Sequence, residues 1–376
     1  MDDNLILPMK QHEVVSVENF NALLKNGSDL GVSDFYVVAQ RQIKAKLHGI
    51  NRLVTNFDLP SGYVNKIAEL VYGSAGVTSR LVGDSLACSY QFKSGKNLYR
   101  FRVNMMKGHK GIAIVMRPLD QMPPKVSDLG IEDIIVNSFV SLCDGEKKSL
   151  KGKLFIVAGE TGSGKSSLIA ALIRYLIEES YLKSTGLNIW TAEAPIEYTY
   201  DSIYEGINVI EQFEKGRSFE TFSDAIRSYM RMDPTLILVG ETRDYETLHS
   251  VLEASNTGHV AVTTIHANSI AEIVTRMIDL IPAKLRTDGE IKRVLSSIGV
   301  ASFQKLVRRK TKGSDPKKGG RIALREYLIF TDEVQEYILT HGQDNIVKSI
   351  SHCVKEFGRS FEQHRQELIQ EGLIDG

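Results

Sequence analysis

The sequence predicts an α/β chain in two parts, a small α+β domain followed by a mostly parallel sheet covered by helices. Three observations lead there. Residues 1–118 carry short alternating or apolar runs separated by Gly- and Ser-rich turns. Pro123 and Pro124, preceded by Pro118, mark a linker over 119–130, because proline stiffens a segment and blocks both helix and central strand. From 131 to 376, largely apolar runs alternate with helical stretches, the pattern of βαβ units whose strands are buried on both faces.

The elements follow in order. In the first part, residues 35–38, 99–103 and 112–116 read as strands, and 64–72 reads as a helix. The second part opens with an amphipathic stretch at 131–142. Residues 154–158, 187–191, 236–239 and 260–264 then read as buried strands. The region from about 305 to 376 reads as a mainly helical appendage. Within it, Arg308, Arg309, Lys310, Lys312, Lys317 and Lys318, with Gly313, Gly319 and Gly320, suggest a flexible basic loop. That loop is either a solvated face or a docking patch for an acidic partner.

Composition excludes several classes. Lys+Arg and Asp+Glu both number 46, so there is no general electrostatic pull toward nucleic acid or anionic membrane, and nucleic acid is not expected as a direct ligand. Cys88, Cys143 and Cys353 are too far apart for a paired zinc motif and read as reduced thiols of a cytoplasmic protein. No signal peptide is expected, and no run approaches the ~18 apolar residues of a membrane span. Any work at a membrane would go through other proteins.

The most specific pattern is Gly159-Glu160-Thr161-Gly162-Ser163-Gly164-Lys165-Ser166, which follows the strand at 154–158 and precedes a helical run at 167–179. This is G-x-x-x-x-G-K-S in a strand–loop–helix context. Glycines let the backbone curl its N–H groups onto phosphate oxygens, and the helix N-terminus adds partial positive charge. Residues 159–167, including Ser167, are therefore the candidate nucleotide contacts. Lys165 is expected on the β- and γ-phosphates and the Ser166 hydroxyl on Mg²⁺.

Three further elements surround it. Leu236-Ile237-Leu238-Val239-Gly240-Glu241 is a buried strand that delivers Glu241, which can act on Mg²⁺ through water and polarise an attacking water. Glu193 and Glu197 flank Pro195 in a shaped loop after a strand, at the edge where open α/β sheets bind ligands. The strand at 260–264 has His259 at its entry and His266 at its far end. His266 is placed to contact a γ-phosphate, whereas His259 reads as structural.

These elements, in this order, resemble the secretion and type IV pilus ATPase superfamily, typified by the GspE and PilT families. The likeness runs over nearly the whole chain. Residues 159–167 match its Walker A loop, 193–197 its acidic box, 233–244 its Walker B segment and 257–268 its His box. Gly319-Gly320-Arg321 with Glu326 resembles a further family segment. The resemblance implies a PAS-like N-terminal domain, a RecA-like P-loop NTPase domain, ATP and Mg²⁺, and a homohexameric ring. It also implies a cytoplasmic protein held at the inner membrane by secretion or conjugation proteins. Glu241 would be the catalytic base, Glu193 and Glu197 would support water and Mg²⁺, and His266 would sense the γ-phosphate. Arg100, Arg102 and Arg117 are the arginines that would approach the phosphates from the N-terminal side. Lys110 stands where relatives often carry arginine, keeping the charge without the bidentate fork.

Two departures narrow the branch. Ala194 replaces the aspartate of the usual E-D-P-x-E box, and the tetracysteine module of GspE-type proteins is missing. The Glu-Ala-Pro-Ile-Glu form looks more like the DotB and conjugative TraJ branch, which implies an ATPase of type IVB secretion or conjugation. A DNA-directed RecA-like motor and a nucleotide-locked assembly scaffold without turnover are the alternatives.

Overall fold

The computed structural model describes residues 9–83, 85–119, 122–144, 152–201, 203, 206–310 and 320–376. The chain divides into two compact units. The first holds Met1–Met122 together with Ala194–Thr199 and Glu214–Ser218, and the second holds the rest.

In the first unit the strands are β1 (Val32–Val38), β2 (Lys44–Leu47), β3 (Ile50–Leu53), β4 (Ser85–Ser94), β5 (Asn97–Gly108) and β6 (Gly111–Leu119). They form a six-stranded antiparallel sheet in the order β3-β2-β1-β6-β5-β4. The helices are α1 (Val17–Asp29), α2 (Ser61–Tyr72) and α3 (Val77–Arg80). Alternation decides the burial: Phe101, Val103 and Met105 of β5 point inward, while Arg102 and Asn104 between them are exposed. The α1 N-terminus is capped by Ser16, whose side chain accepts from the Asn19 N–H. Pro118 ends up inside β6, beyond the stretch that pairs with β1, where the strand has β5 as its neighbour and a missing N–H is tolerated.

The second unit contains α4 (Asp133–Cys143), β7 (Leu154–Ala158), α5 (Lys165–Glu178), β8 (Asn188–Glu193), β9 (Val209–Glu214), α6 (Phe222–Tyr229), β10 (Leu236–Val239), α7 (Tyr245–Asn256), β11 (Val260–Ile265), α8 (Ile270–Leu280), α9 (Asp288–Ser297), β12 (Ile298–Arg308), β13 (Arg321–Ile329), α10 (Asp332–Phe357) and α11 (Phe361–Gln370). The sheet order is β13-β12-β7-β11-β10-β8-β9, and β12, β7, β11, β10 and β8 run parallel. Every residue of β7, β10 and β11 is buried; β7 and β10 are unbroken apolar runs, and in β11 the hydroxyls of Thr263 and Thr264 are hydrogen-bonded. Two apolar layers cover the faces. One is built on Phe139, Leu172 and Leu176 of α4 and α5, the other on Ile226, Val251, Ile273 and Met277 of α6, α7 and α8.

The expected helical C-terminal appendage is present as α10 and α11, but it begins later than residue 305. Lys305 to Arg308 complete β12, and residues 321–329 are a strand, antiparallel to β12 from Val300↔Ile329 to Arg308↔Arg321. Helix begins only at Asp332. The run Arg-Ile-Ala-Leu-Arg-Glu-Tyr-Leu-Ile is too short for periodicity alone to separate helix from strand, and pairing with β12 decides it. Lys312, Gly313, Lys317, Lys318 and Gly319 of the expected basic loop lie outside the described residues. β9 was not anticipated either; its mixed polarity suits a sheet edge.

Candidate nucleotide site

Register assembles the site. Ile265 of β11 stands beside Ala158 of β7, so His266 follows next to Gly159. On the other side Phe303 of β12 stands beside Ala158, so Gln304 also arrives at Gly159. Val239 of β10 stands beside Thr263, which brings Glu241 level with the end of β11. Parallel strands end on one edge, where ligands of open α/β sheets bind.

Loop 159–164 leaves β7 and turns directly into α5. Gly162 and Gly164 have φ of 80° and 87°, in the left-handed region that favours glycine. A Cβ on Gly159 would lie 2.4 Å from the Gln304 carbonyl oxygen, and one on Gly164 would lie 2.7 Å from Gln304 Nε2. Lys165 Nζ donates to the carbonyls of Gly159 at 2.7 Å and Glu160 at 3.0 Å, which folds the lysine over the loop. Gly164 is the N-cap of α5 and offers no side chain to it. The Ser163 Oγ is buried without a hydrogen-bond partner among the described residues. A glycine cradle, a helix N-terminus uncapped by a side chain, a lysine and an orphaned hydroxyl together fit a polyphosphate. A cavity of about 910 Å³ adjoins the loop, with Gly164, Ser167, Gly130 and Leu306 in its wall.

Glu241 is three-quarters buried and Arg243 Nε lies 2.7 Å from its Oε2. Hydrogen bonds weld this end of β10 to β11: Thr264 Oγ1 donates to the Gly240 carbonyl at 2.7 Å, and the Thr242 N–H donates to the Thr264 carbonyl at 2.9 Å. His266 lies within electrostatic reach of Lys165, Arg243 and Glu241 and hydrogen-bonds the Gly159 carbonyl. Its pKa is lowered. Burial is the largest cause, Lys165 and Arg243 add to it, and Glu241 with the Gly159 carbonyl oppose it only in part. His259 sits at the opposite end of β11, bound to Thr257 Oγ1 at 3.0 Å.

Glu193 closes β8 in the same unit. Its Oε1 accepts from Thr191 Oγ1 at 2.8 Å and from Gln212 Nε2 at 3.1 Å, so its direction is set. The peptide between Ala194 and Pro195 is cis. Glu197 belongs to the first unit, and there the three candidate arginines are found. Arg100 is 2% exposed and donates to the carbonyls of Ile196 and Glu197, both at 3.0 Å. Arg102 Nη1 pairs with Glu197 Oε1 at 3.2 Å. Arg117 stands opposite Arg102 across β5 and β6 and pairs with Asp34 at 2.8 Å. Each of the three thus already binds a group of its own unit, and Arg100 holds the backbone of the acidic loop.

Several residues escaped sequence reasoning. Arg243 was read only as part of a segment. Gln304 and Arg325 are polar residues inside apolar strands, which is the one signal that could have singled them out. Glu326 accepts from the N–H groups of Ile270 at 2.8 Å and Phe361 at 3.4 Å, at the starts of α8 and α11. Burial raises its pKa against those two bonds.

A phosphate cradle at the end of a parallel sheet, with a histidine at the end of the next strand, β11, and an acid after the one beyond it, β10, defines a P-loop NTPase domain. Comparison with known proteins goes one step further: residues 87–374 match the Type II/IV secretion system protein family, and the chain belongs to that family. It is 34% identical to the type IV pilus retraction ATPase PilT of Pseudomonas aeruginosa over 277 residues, 73% of this chain and 71% of that one. The X-ray structure of the Legionella pneumophila ATPase DotB superposes with a TM-score of 0.82 at 30% identity, over 95% of this chain and 93% of DotB. A crystal structure of PilT with bound ADP gives 0.75 at 25% identity, over 94% and 93%. The chain is an ATPase of the secretion and pilus motor class. No helix among the described residues is long and apolar enough to cross a membrane.

Proposed function

We propose that this chain is a homohexameric, Mg²⁺-dependent ATPase that powers assembly or substrate transport by a type IVB secretion or conjugation system. It would do so at the cytoplasmic face of the inner membrane, through protein partners. The observation that carries the catalytic part is the meeting of Lys165, Glu241, Arg243 and His266 around loop 159–166. The likeness to DotB over nearly the full length supports the branch, together with the Glu-Ala-Pro-Ile-Glu box.

Lys165 neutralises β- and γ-phosphate charge, and the backbone N–H groups of the loop hold the phosphate oxygens. The Ser166 hydroxyl and the Glu241 carboxylate are hard oxygen donors and suit Mg²⁺, Glu241 through water. When bound, the ion would screen charge that develops on the phosphates. Glu241, held by Arg243, orients and deprotonates the attacking water. Glu193, fixed by Thr191 and Gln212, supports the same water. His266, kept neutral, reports whether a γ-phosphate is present without adding repulsion toward Lys165. Ala194 removes one carboxylate from the box, which leaves water handling to Glu193.

Phosphate release and nucleotide binding test these roles. Lys165→Ala is expected to abolish both, whereas Glu241→Gln abolishes release and keeps most of the binding. Hydrolysis at the normal rate by Glu241→Gln would end the assignment of Glu241 as base.

A further inference from the structure

Behind the phosphate loop runs a buried polar chain that hydrolysis does not use. Gln304 is 2% exposed; its Nε2 donates to the Ser163 carbonyl at 2.6 Å and its Oε1 accepts from Arg325 Nε at 2.7 Å. Arg325 is 1% exposed. Its Nη1 donates to the Gly130 carbonyl at 2.7 Å and lies 3.4 Å from Glu132 Oε2, and its Nη2 donates to the Leu129 carbonyl at 2.9 Å. Its backbone N–H donates to His364 Nδ1 of α11 at 2.9 Å. Glu132 also binds Arg359, whose Nη1 meets Glu367 of α11 at 3.0 Å.

The chain grips the loop at both ends. The Gln304 carbonyl crowds the Cβ position of Gly159, and the Gln304 amide crowds that of Gly164. A peptide unit is planar and trans, so a C=O and the N–H that follows it point opposite ways. Drawing the Ser163 carbonyl onto Gln304 therefore turns the Gly164 N–H away from Gln304. Such N–H groups are what a phosphate-binding loop presents to its anion. Stability alone does not account for an ion pair here. Burial works against the guanidinium's charge, and replacing a whole buried pair such as Arg325–Glu132 by apolar residues of similar volume is often neutral or stabilising.

We infer that Arg325 is a positioning residue for the nucleotide. Through Gln304 it sets the peptide joining Ser163 and Gly164, and through Glu132, Arg359 and His364 it ties that setting to α11. Nucleotide affinity then depends on where the C-terminal helix sits. The inference rests on loop 159–166 being the phosphate site.

The test measures binding of MgATP and of inorganic tripolyphosphate by the full chain, beside thermal unfolding without ligand. Tripolyphosphate reports the loop alone. Arg325→Lys and Gln304→Met should each weaken both ligands in parallel, by about tenfold. The double variant should bind no worse than the weaker single, because both sit on one chain of contacts. Glu367→Gln, at the far end on α11, should weaken tripolyphosphate two- to threefold; it and Gln304→Met carry the test if Arg325→Lys does not fold. Weakened MgATP with unchanged tripolyphosphate would mean contact with the nucleoside and would overturn the inference. A lowered melting temperature with both affinities unchanged would overturn it too. Wild-type chain that binds neither ligand would overturn the phosphate-site reading itself, and this inference with it.

Discussion

Replacing Glu132 by glutamine keeps the shape of the side chain and removes its charge. In the native chain this carboxylate serves Arg325, whose side chain is 1% exposed, and Arg359, whose side chain is 13% exposed. It is also the N-cap of α4, where negative charge is favoured. Burial opposes its ionised form, but Arg325 and Arg359 outweigh that, and its pKa is lowered overall. Leaving buried charges without their partner costs about 3 kcal/mol or more. At roughly 2–4 °C per kcal/mol for a unit of this size, the melting temperature at pH 7.5 should fall by about 6–12 °C. A depressed carboxylate pKa contributes stability above its unfolded value, near 4.5, and loses it as pH falls through the folded value. The gap between wild type and Glu132→Gln should therefore narrow below about pH 4.5. Circular dichroism melts of both proteins across pH 4 to 8 measure it. Equal melting temperatures at pH 7.5, or a gap that stays constant into acid, would refute the reasoning.

Other outcomes follow from the same geometry. Arg243→Gln frees the Glu241 carboxylate from its 2.7 Å partner and should lower kcat by about tenfold with a smaller change in KM, read by steady-state phosphate release. His266 has a lowered pKa, so it stays neutral from pH 8 to below its usual 6.5 and gains charge beside Lys165 and Arg243 only in acid. The acid limb of the kcat profile should therefore lie below pH 6.5, and His266→Asn should change that limb while leaving the profile near pH 8 in shape. Burial pushes the thiols of Cys88 and Cys143 up to about 12 and that of Cys353 to about 11. A thiol-specific chromogenic reagent should therefore react slowly with native chain and promptly with three thiols after unfolding.

The parts of the site that were legible are those where one residue type has one job. The loop at 159–166 could be read because glycine spacing and a following lysine serve phosphates in a recognisable way, and Glu241 and His266 because each follows a strand-like run. Strand order and register were not legible, although they bring His266 and Gln304 to either side of Gly159. Gln304 and Arg325 stayed hidden for a related reason. Their partners are backbone carbonyls at 129, 130 and 163, and carbonyls leave no trace in a sequence. The strand at 321–329 was hidden because pairing, not local pattern, makes it a strand. Arg100 was visible as an arginine, but not its grip on the carbonyls of Ile196 and Glu197.

Glu326 holds two helix starts with one side chain, that of α8, which follows His266 by a few residues, and that of α11. A hinge placed between those helices would have to break one of two bonds to the same carboxylate. The segment after the histidine and the C-terminal helix are thus pinned at a common rivet. A displacement started at either reaches the other through one side chain of β13, and an aspartate, one methylene shorter, would have to let go of one of them.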